Sequence, residues 1–334
     1  DSLPNPTPML VSMLRILGIE APLNALDVAN PALLRFIASA ADSDIELRLL
    51  AAEQAEAVGA LPASSVAALY AVVPFSPEEQ ANPFEYSAEV SGPLARAMLY
   101  QSILGESVPT ARAEAVGIAL QRAQEEARFP TMARVLQSAI QELPVTREFA
   151  WFAAEAGRAY FAGGRWEEAR RWFDVAVAGR GADPEAQQAA VALWPLIALT
   201  GQSQDVDPEM LKAWWESQGG ALDPGAHSRG GLLLTLLAAL GRNVLPEQWD
   251  TLLAGPLSEP SAVASPALRH ALRAAASDGR LGEAVLLAML GLGAAGPENA
   301  GLVTLGETLV GLRAVGLDLD AQAIAVEVAL AGGL

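Results

Sequence analysis

Glycine recurs at nearly even intervals along the second half of the chain, at Gly164, Gly201, Gly241, Gly279 and Gly316, with 37, 40, 38 and 37 residues between successive members. Each follows an Ala/Leu-rich stretch long enough for a helix, and most precede a second one. A helix commonly ends with the residue beyond its last turn in the left-handed conformation, where a side chain costs energy and glycine does not. The spacing therefore predicts helical hairpins turned at glycine. Gly18, Gly59 and Gly105 extend the series, because Pro22, Pro62 and Pro109 follow them closely, as Pro246 follows Gly241. Glycine closing one helix and proline opening the next is the expected order of stop and start signals. A single pair of this kind cannot bury its own apolar face, so neighbouring pairs must stack. The expectation is an all-α chain, an α-solenoid of stacked antiparallel hairpins with degenerate repeats.

The pattern is least regular at the start. Helices are expected near residues 8–17, 31–40, 44–58, 63–73 and 90–104, with a structured loop over 74–84 that could mark a boundary. Residues 109–127 and 130–142 form the next pair, and the periodic region takes over from Val145. The organisation expected is an irregular N-terminal helical region over residues 1–108 and a repeat region over 109–334, or one continuous solenoid. Asp183 before Pro184 reads as a helix cap, Pro195 as a kink or interruption, and Gly219 to Gly225 as a tight connection.

Hydrophobic residues make up 52% of the 334 and aromatic ones only 6%, so alanine and leucine, both strong helix formers, carry the burial. The net charge of −18 would repel a polyanionic backbone, which argues against nucleic acid as a partner. Absence of cysteine excludes disulfides and thiolate chemistry. The opening Asp1–Pro8 reads as a flexible lead left by a cleaved leader or by trimming, which with the missing cysteine favours a bacterial periplasm over the cytoplasm as the expected compartment. The most apolar stretches, Gly231 to Leu240 and Ala284 to Gly296, are shorter than the roughly 20 residues a membrane helix needs and read as core helices.

Residues 150–178 carry the one distinctive local pattern: Gly157 and Tyr160 on a first helix, Gly164 at its end, Trp166 opening the next turn, and Glu168, Ala169, Phe173 and Ala176 on a second helix. This segment resembles a tetratricopeptide repeat. It departs from the pattern where Ala153 replaces the first-helix tryptophan and where the closing proline arrives late, at Pro184. A weaker echo runs from Asp278 to Ala284, parallel to Gly163 to Ala169, and a third from Gly316 to Ala321. The resemblance implies a concave groove lined by first helices and holding a peptide or a partner helix. By position, Trp151, Ala154, Arg158, Phe161 and Ala162 would face it. Arg158 would clamp a partner carboxylate, or else be a surface arginine pairing with Glu155 or Asp174; Phe161 is a contact or a core residue. The resemblance also places Tyr160, Trp166 and Phe173 between the helices. The aromatic residues between Trp151 and Phe173 read as inter-helix packing, or as a stacking surface for an apolar or sugar ligand. Trp214 and Trp215 are adjacent and must point to different sides of a shared helix, so at least one is expected at a surface where a partner could bind.

Chemistry-bearing patterns are sparse. His227 and His270 lie far apart, no phosphate-cradling loop or nucleophile elbow occurs, and the acidic pairs read as solvated faces or caps. No catalytic residue, metal ligand or cofactor is assigned. The chain reads as a noncatalytic scaffold for a protein or peptide partner, in an envelope assembly, or alternatively as a carrier enclosing a lipid or other apolar ligand. High apolar content with little charge, at a mean hydropathy of +0.27, is what motivates the alternative.

Overall fold

The computed structural model describes residues 7–17, 26, 30–201, 203–220, 223–253, 263–293 and 295–334. The lead peptide up to residue 6, Gly18, Pro22, Gln202 and residues 221–222 fall outside them. The chain is all-helical, and among the described residues no strand forms beyond one isolated bridge between Asp205 and Asn243. It divides into two compact units, Asp1–Pro144 and Val145–Leu334. The division falls where the periodic region begins rather than at 108/109, and the helical pair expected to open the repeats packs in the first unit.

In the first unit the helices are α1 (Pro8–Ile16), α2 (Pro31–Ser39), α3 (Ile45–Ala57), α4 (Ala63–Ala71), α5 (Pro77–Ala81), α6 (Pro83–Glu89), α7 (Pro93–Gly105), α8 (Pro109–Glu125), α9 (Phe129–Val135) and α10 (Gln137–Gln141). Starts follow capping chemistry: the side chains of Asn30 and Asp44 accept the first amides of α2 and α3. The segment expected as a loop over 74–84 instead winds into α5 and the start of α6. Ser76 and Glu79 form a reciprocal capping box, and Pro77 and Pro83 occupy first-turn positions where their missing N–H costs nothing. Residues 130–142 break into α9 and α10 rather than forming one helix. The core lies where α3, α4, α7 and α9 meet.

The second unit opens with a 3-10 turn (Arg147–Phe152) and continues with α11 (Ala153–Ala162), α12 (Trp166–Gly179), α13 (Pro184–Thr200), α14 (Pro208–Ser217), α15 (Pro224–Ala239), α16 (Pro246–Leu253), α17 (Pro266–Ser277), α18 (Leu281–Leu292), α19 (Leu302–Ala314) and α20 (Asp318–Ala331), with a short 3-10 turn at Pro297–Asn299. Gly164, Gly241, Gly279 and Gly316 have φ of 72°, 73°, 68° and 86°. At each, the glycine amide bonds the carbonyl three residues back and the next amide bonds the one five back, as in Gly164 N to Phe161 O and Arg165 N to Tyr160 O. This is the Schellman closure of a helix. A Cβ at Gly164, Gly279 or Gly316 would meet nothing within 4 Å, so conformation and not crowding requires the glycine. Gly201 is the exception, with φ −66°. There the guanidinium of Arg242 donates to the carbonyls of Leu199, Gly201 and Ser203, satisfying the helix end from outside.

The sequence echo is a structural one. Arg165, Arg280 and Leu317 precede α12, α18 and α20 with nearly the same backbone (φ/ψ −96°/65°, −80°/75° and −95°/52°). Arg165 pairs with Glu168 at 2.6 Å and Arg280 with Glu283 at 2.7 Å, and Ala169, Ala284 and Ala321 are fully buried. Stacking then departs from a strict nearest-neighbour array: α20 packs on α11, α13 and α15, far earlier in the chain. The residues after it tuck in too, since a Cβ on Gly332 would sit 2.4 Å from Leu232 Cδ2. Pro195 lies inside α13, which runs uninterrupted through it.

Candidate functional site

The face expected to line a groove is built but covered. Trp151 sits in the 3-10 turn before α11 and is half-buried, Phe161 is buried, and α20 packs against the helix that carries Arg158 and Phe161. Arg158 is half-buried, and burial lowers the pKa of its guanidinium while Glu155 one turn away opposes the shift. Burial likewise holds the Glu155 carboxyl above its usual range, with Arg158 offsetting part of it. Glu155 Oε2 is shut off from water and accepts no hydrogen bond from the described residues. Glu155 and Arg158 thus form an electrostatic pair inside the unit.

Helix approach here depends on glycine, since a Cβ on Gly157 would fall 2.3 Å from Leu193 Cδ2 of α13. Tyr160 is buried between the helices, whereas Trp166 and Phe173 are only half-buried. The large ring in the core is Trp172, 1% exposed and edge-on to Phe152 at 5.7 Å.

Trp214 and Trp215, expected to present at least one ring to solvent, are both buried. Their rings meet at 6.1 Å and 77°. Adjacent positions on α14 reach two buried surroundings, because Trp215 lies over Gly230 of α15, where a Cβ would come within 2.0 Å of its ring. Trp215 Nε1 has no hydrogen-bond partner among the described residues. These tryptophans act as wedges between helices.

An open concavity in the second unit lies elsewhere, between α15, α16, α17 and α19. It has a volume of about 550 Å³ and is lined by Thr235, Ala238, Trp249, Leu272, Val310 and neighbouring small residues, with Arg273 and Glu307 as its charged groups. Small residues create the hollow: Ala239, Ala276, Gly306, Gly311 and Ala314 take the positions where larger side chains would close it. Polar contacts between neighbouring helices hold its walls. Arg313 of α19 donates to the Ala239 carbonyl at the end of α15 (2.9 Å), and Thr304 Oγ1 accepts the Ala264 amide before α17 (2.9 Å). The hydroxyls in the lining are already used within their own helices, Thr235 on Gly231 O (2.7 Å) and Ser277 on Ala274 O (3.0 Å). What faces the space is therefore mostly carbon.

The stretch Ala284 to Gly296, expected to be core, is only partly so. Leu286, Met289 and Leu290 on α18 are exposed, while Ala284 and Ala288 on the other side are buried. His227 is buried near the start of α15 and His270 lies exposed on α17. Among the described residues no three His, Asp or Glu side chains gather as a metal site, and no helix is long and apolar enough to cross a membrane.

In the first unit the structure reveals a buried charge cluster with no counterpart in the sequence reading. Glu53, 1% exposed on α3, accepts Tyr70 Oη (2.5 Å), Arg96 Nε (3.0 Å) and Arg96 Nη2 (2.6 Å). Arg96 also pairs with Glu126, which accepts the Gly92 amide. One turn on, Glu56 accepts Thr131 Oγ1 (2.7 Å) and a fork from Arg134 (2.5 and 2.7 Å). Burial first, then the Glu53 charge, raises the Tyr70 phenol well above its usual range and keeps it a donor. A signal existed in the sequence: Leu49, Ala52, Glu53 and Glu56 share one helical face, so the two glutamates point where the apolar residues point. No family model, curated protein or solved structure matches the chain.

Proposed function

We propose that the chain is a noncatalytic binding protein whose second unit receives an apolar ligand in the hollow between α15, α16, α17 and α19. The observation that carries this reading is a concavity of about 550 Å³ with walls of alanine, glycine, leucine, valine and tryptophan. Its size lies within the range of about 300–1,000 Å³ typical of small-molecule sites, which are likewise mostly apolar with few polar groups. The hairpins are of the tetratricopeptide-like, solenoid-forming kind, with the last helix folded back over α11 and α13 so that the ligand space moves towards the later hairpins.

A neutral fluorescent probe, N-phenylnaphthylamine, tests the reading. Its emission is expected to rise saturably with the wild type and to lose that rise in Ala238→Trp, where an indole on an exposed lining position fills the hollow without entering the core. No saturable rise, or the same rise in the variant, would overturn it.

A second reading, a scaffold for a protein partner, is supported by the exposed Leu286, Met289 and Leu290 of α18. They lie one turn apart along one helix face, which is how a partner helix is gripped. Leu286→Glu/Leu290→Glu would abolish retention of any partner held there and leave probe binding intact; retention unchanged in that variant would refute it.

A further inference from the structure

We infer that the ligand of the second unit is a single-chain amphiphile with one anionic head, carboxylate or phosphate monoester, whose tail fills the hollow and whose head meets Arg273; this rests on the binding reading above. Charge at the mouth is uneven. Both oxygens of Glu307 are taken by the fork of Arg269, Oε2 by Nε at 2.7 Å and Oε1 by Nη2 at 2.5 Å. That arrangement satisfies the carboxylate with one guanidinium. Arg273, one turn along the same face of α17, adds a bond from its Nη2 to Glu307 Oε1. Two cations thus share one anion. Arg273 is the more exposed of the pair, at 64% of its side chain against 28% for Arg269, and it alone of the two lines the hollow.

Of the other polar groups of the lining, the Thr235 and Ser277 hydroxyls already donate to their own helices, Trp249 carries one neutral N–H and Glu307 is itself an anion. Arg273 is the cation of the lining. A guanidinium presents parallel donors that match a carboxylate or a phosphate. A bare anion is not the expected occupant. The chain carries −18, which opposes small anions in general, so binding must draw on burial of a tail. Each added methylene is expected to strengthen binding about fourfold until the space is full.

The experiment compares decanoate, decyl phosphate, decanol and inorganic phosphate as competitors of N-phenylnaphthylamine on the full chain, with wild type, Arg273→Gln and Arg273→Lys, each checked by circular dichroism. Decanoate or decyl phosphate is expected to bind about three- to fivefold more tightly than decanol at low salt, with the preference shrinking as salt rises. Arg273→Gln should remove the preference and leave decanol unchanged, Arg273→Lys should keep most of it, and inorganic phosphate should not compete. Equal binding of decanol and both anions by the wild type, or an equal loss for all three in Arg273→Gln, would overturn the inference while leaving the binding reading in place. Failure of all three to displace the probe would remove both.

Discussion

Replacing Glu53 with alanine should be the most damaging single change in the first unit. Glu53 is 1% exposed and accepts three hydrogen bonds, two of them from Arg96, whose side chain is 4% exposed. Truncation leaves a buried guanidinium facing a cavity, with Glu126 at the edge and the Tyr70 hydroxyl beside it, and removes the acceptor of the Tyr70 hydroxyl proton. Breaking a buried ion pair from one side costs about 3–5 kcal/mol, a large share of the roughly 5–15 kcal/mol that holds a domain folded. Arg96→Ala should cost a similar amount for the mirror-image reason. Because both singles lose the same interaction, the double variant should cost less than their sum by about 1–3 kcal/mol.

The readout is built into the sequence. All seven tryptophans lie between Trp151 and Trp249, so tryptophan fluorescence follows the second unit while far-ultraviolet circular dichroism follows both. In urea titrations, Glu53→Ala is expected to move the circular-dichroism transition that has no fluorescence counterpart. A loss below about 1 kcal/mol, or singles that simply add, would refute the view that Glu53 and Arg96 form one buried unit.

Three further outcomes follow from the packing. Gly157→Ala should destabilise the second unit by about 1–3 kcal/mol through the clash with Leu193, whereas Gly117→Ala, inside α8 with nothing within 4 Å, should stabilise the first by about 0.5–1 kcal/mol; thermal melts of both check the contrast. Burial raises the Glu155 pKa, so its contribution is full below the unfolded carboxyl value of about 4.3 and is lost as pH rises through the folded value. Glu155→Gln should therefore be more stable than wild type at neutral pH and indistinguishable at pH near 4; a less stable variant at neutral pH would show that pairing with Arg158 outweighs burial. Gly164→Ala should cost about 1–2 kcal/mol from backbone conformation alone, since its Cβ would meet nothing, and urea midpoints of the fluorescence transition measure it.

Local chemistry made much of the helical framework legible. Left-handed glycines, prolines at first-turn positions and capping Asp183 act within a few residues, so Gly164, Gly279 and Gly316 announce their turns wherever the helices finally pack. Gly201 misled because its helix is closed by Arg242, some forty residues on. The return of α20 to α11 and α13 left no local trace either, since alanine-rich faces such as those of Ala321 and Ala325 fit many partners equally well. That packing is why Arg158 and Phe161 lie against neighbouring helices instead of lining an open groove. Exposure rules for helices packed on one side put one of Trp214 and Trp215 at a surface, whereas α14 is covered on two. The hollow was hidden for a simpler reason: it is made by what Ala276, Gly306 and Gly311 lack, and small residues are common throughout this chain.

The hollow between α15, α16, α17 and α19 is expected to hold an apolar tail. A crystal structure of the full chain with decanoate brominated at its tail locates that tail by anomalous scattering. A bromine peak is expected between Trp249, Leu272 and Val310, with the carboxylate towards Arg273. A peak elsewhere, or an empty hollow under conditions where the probe is displaced in solution, would contradict it.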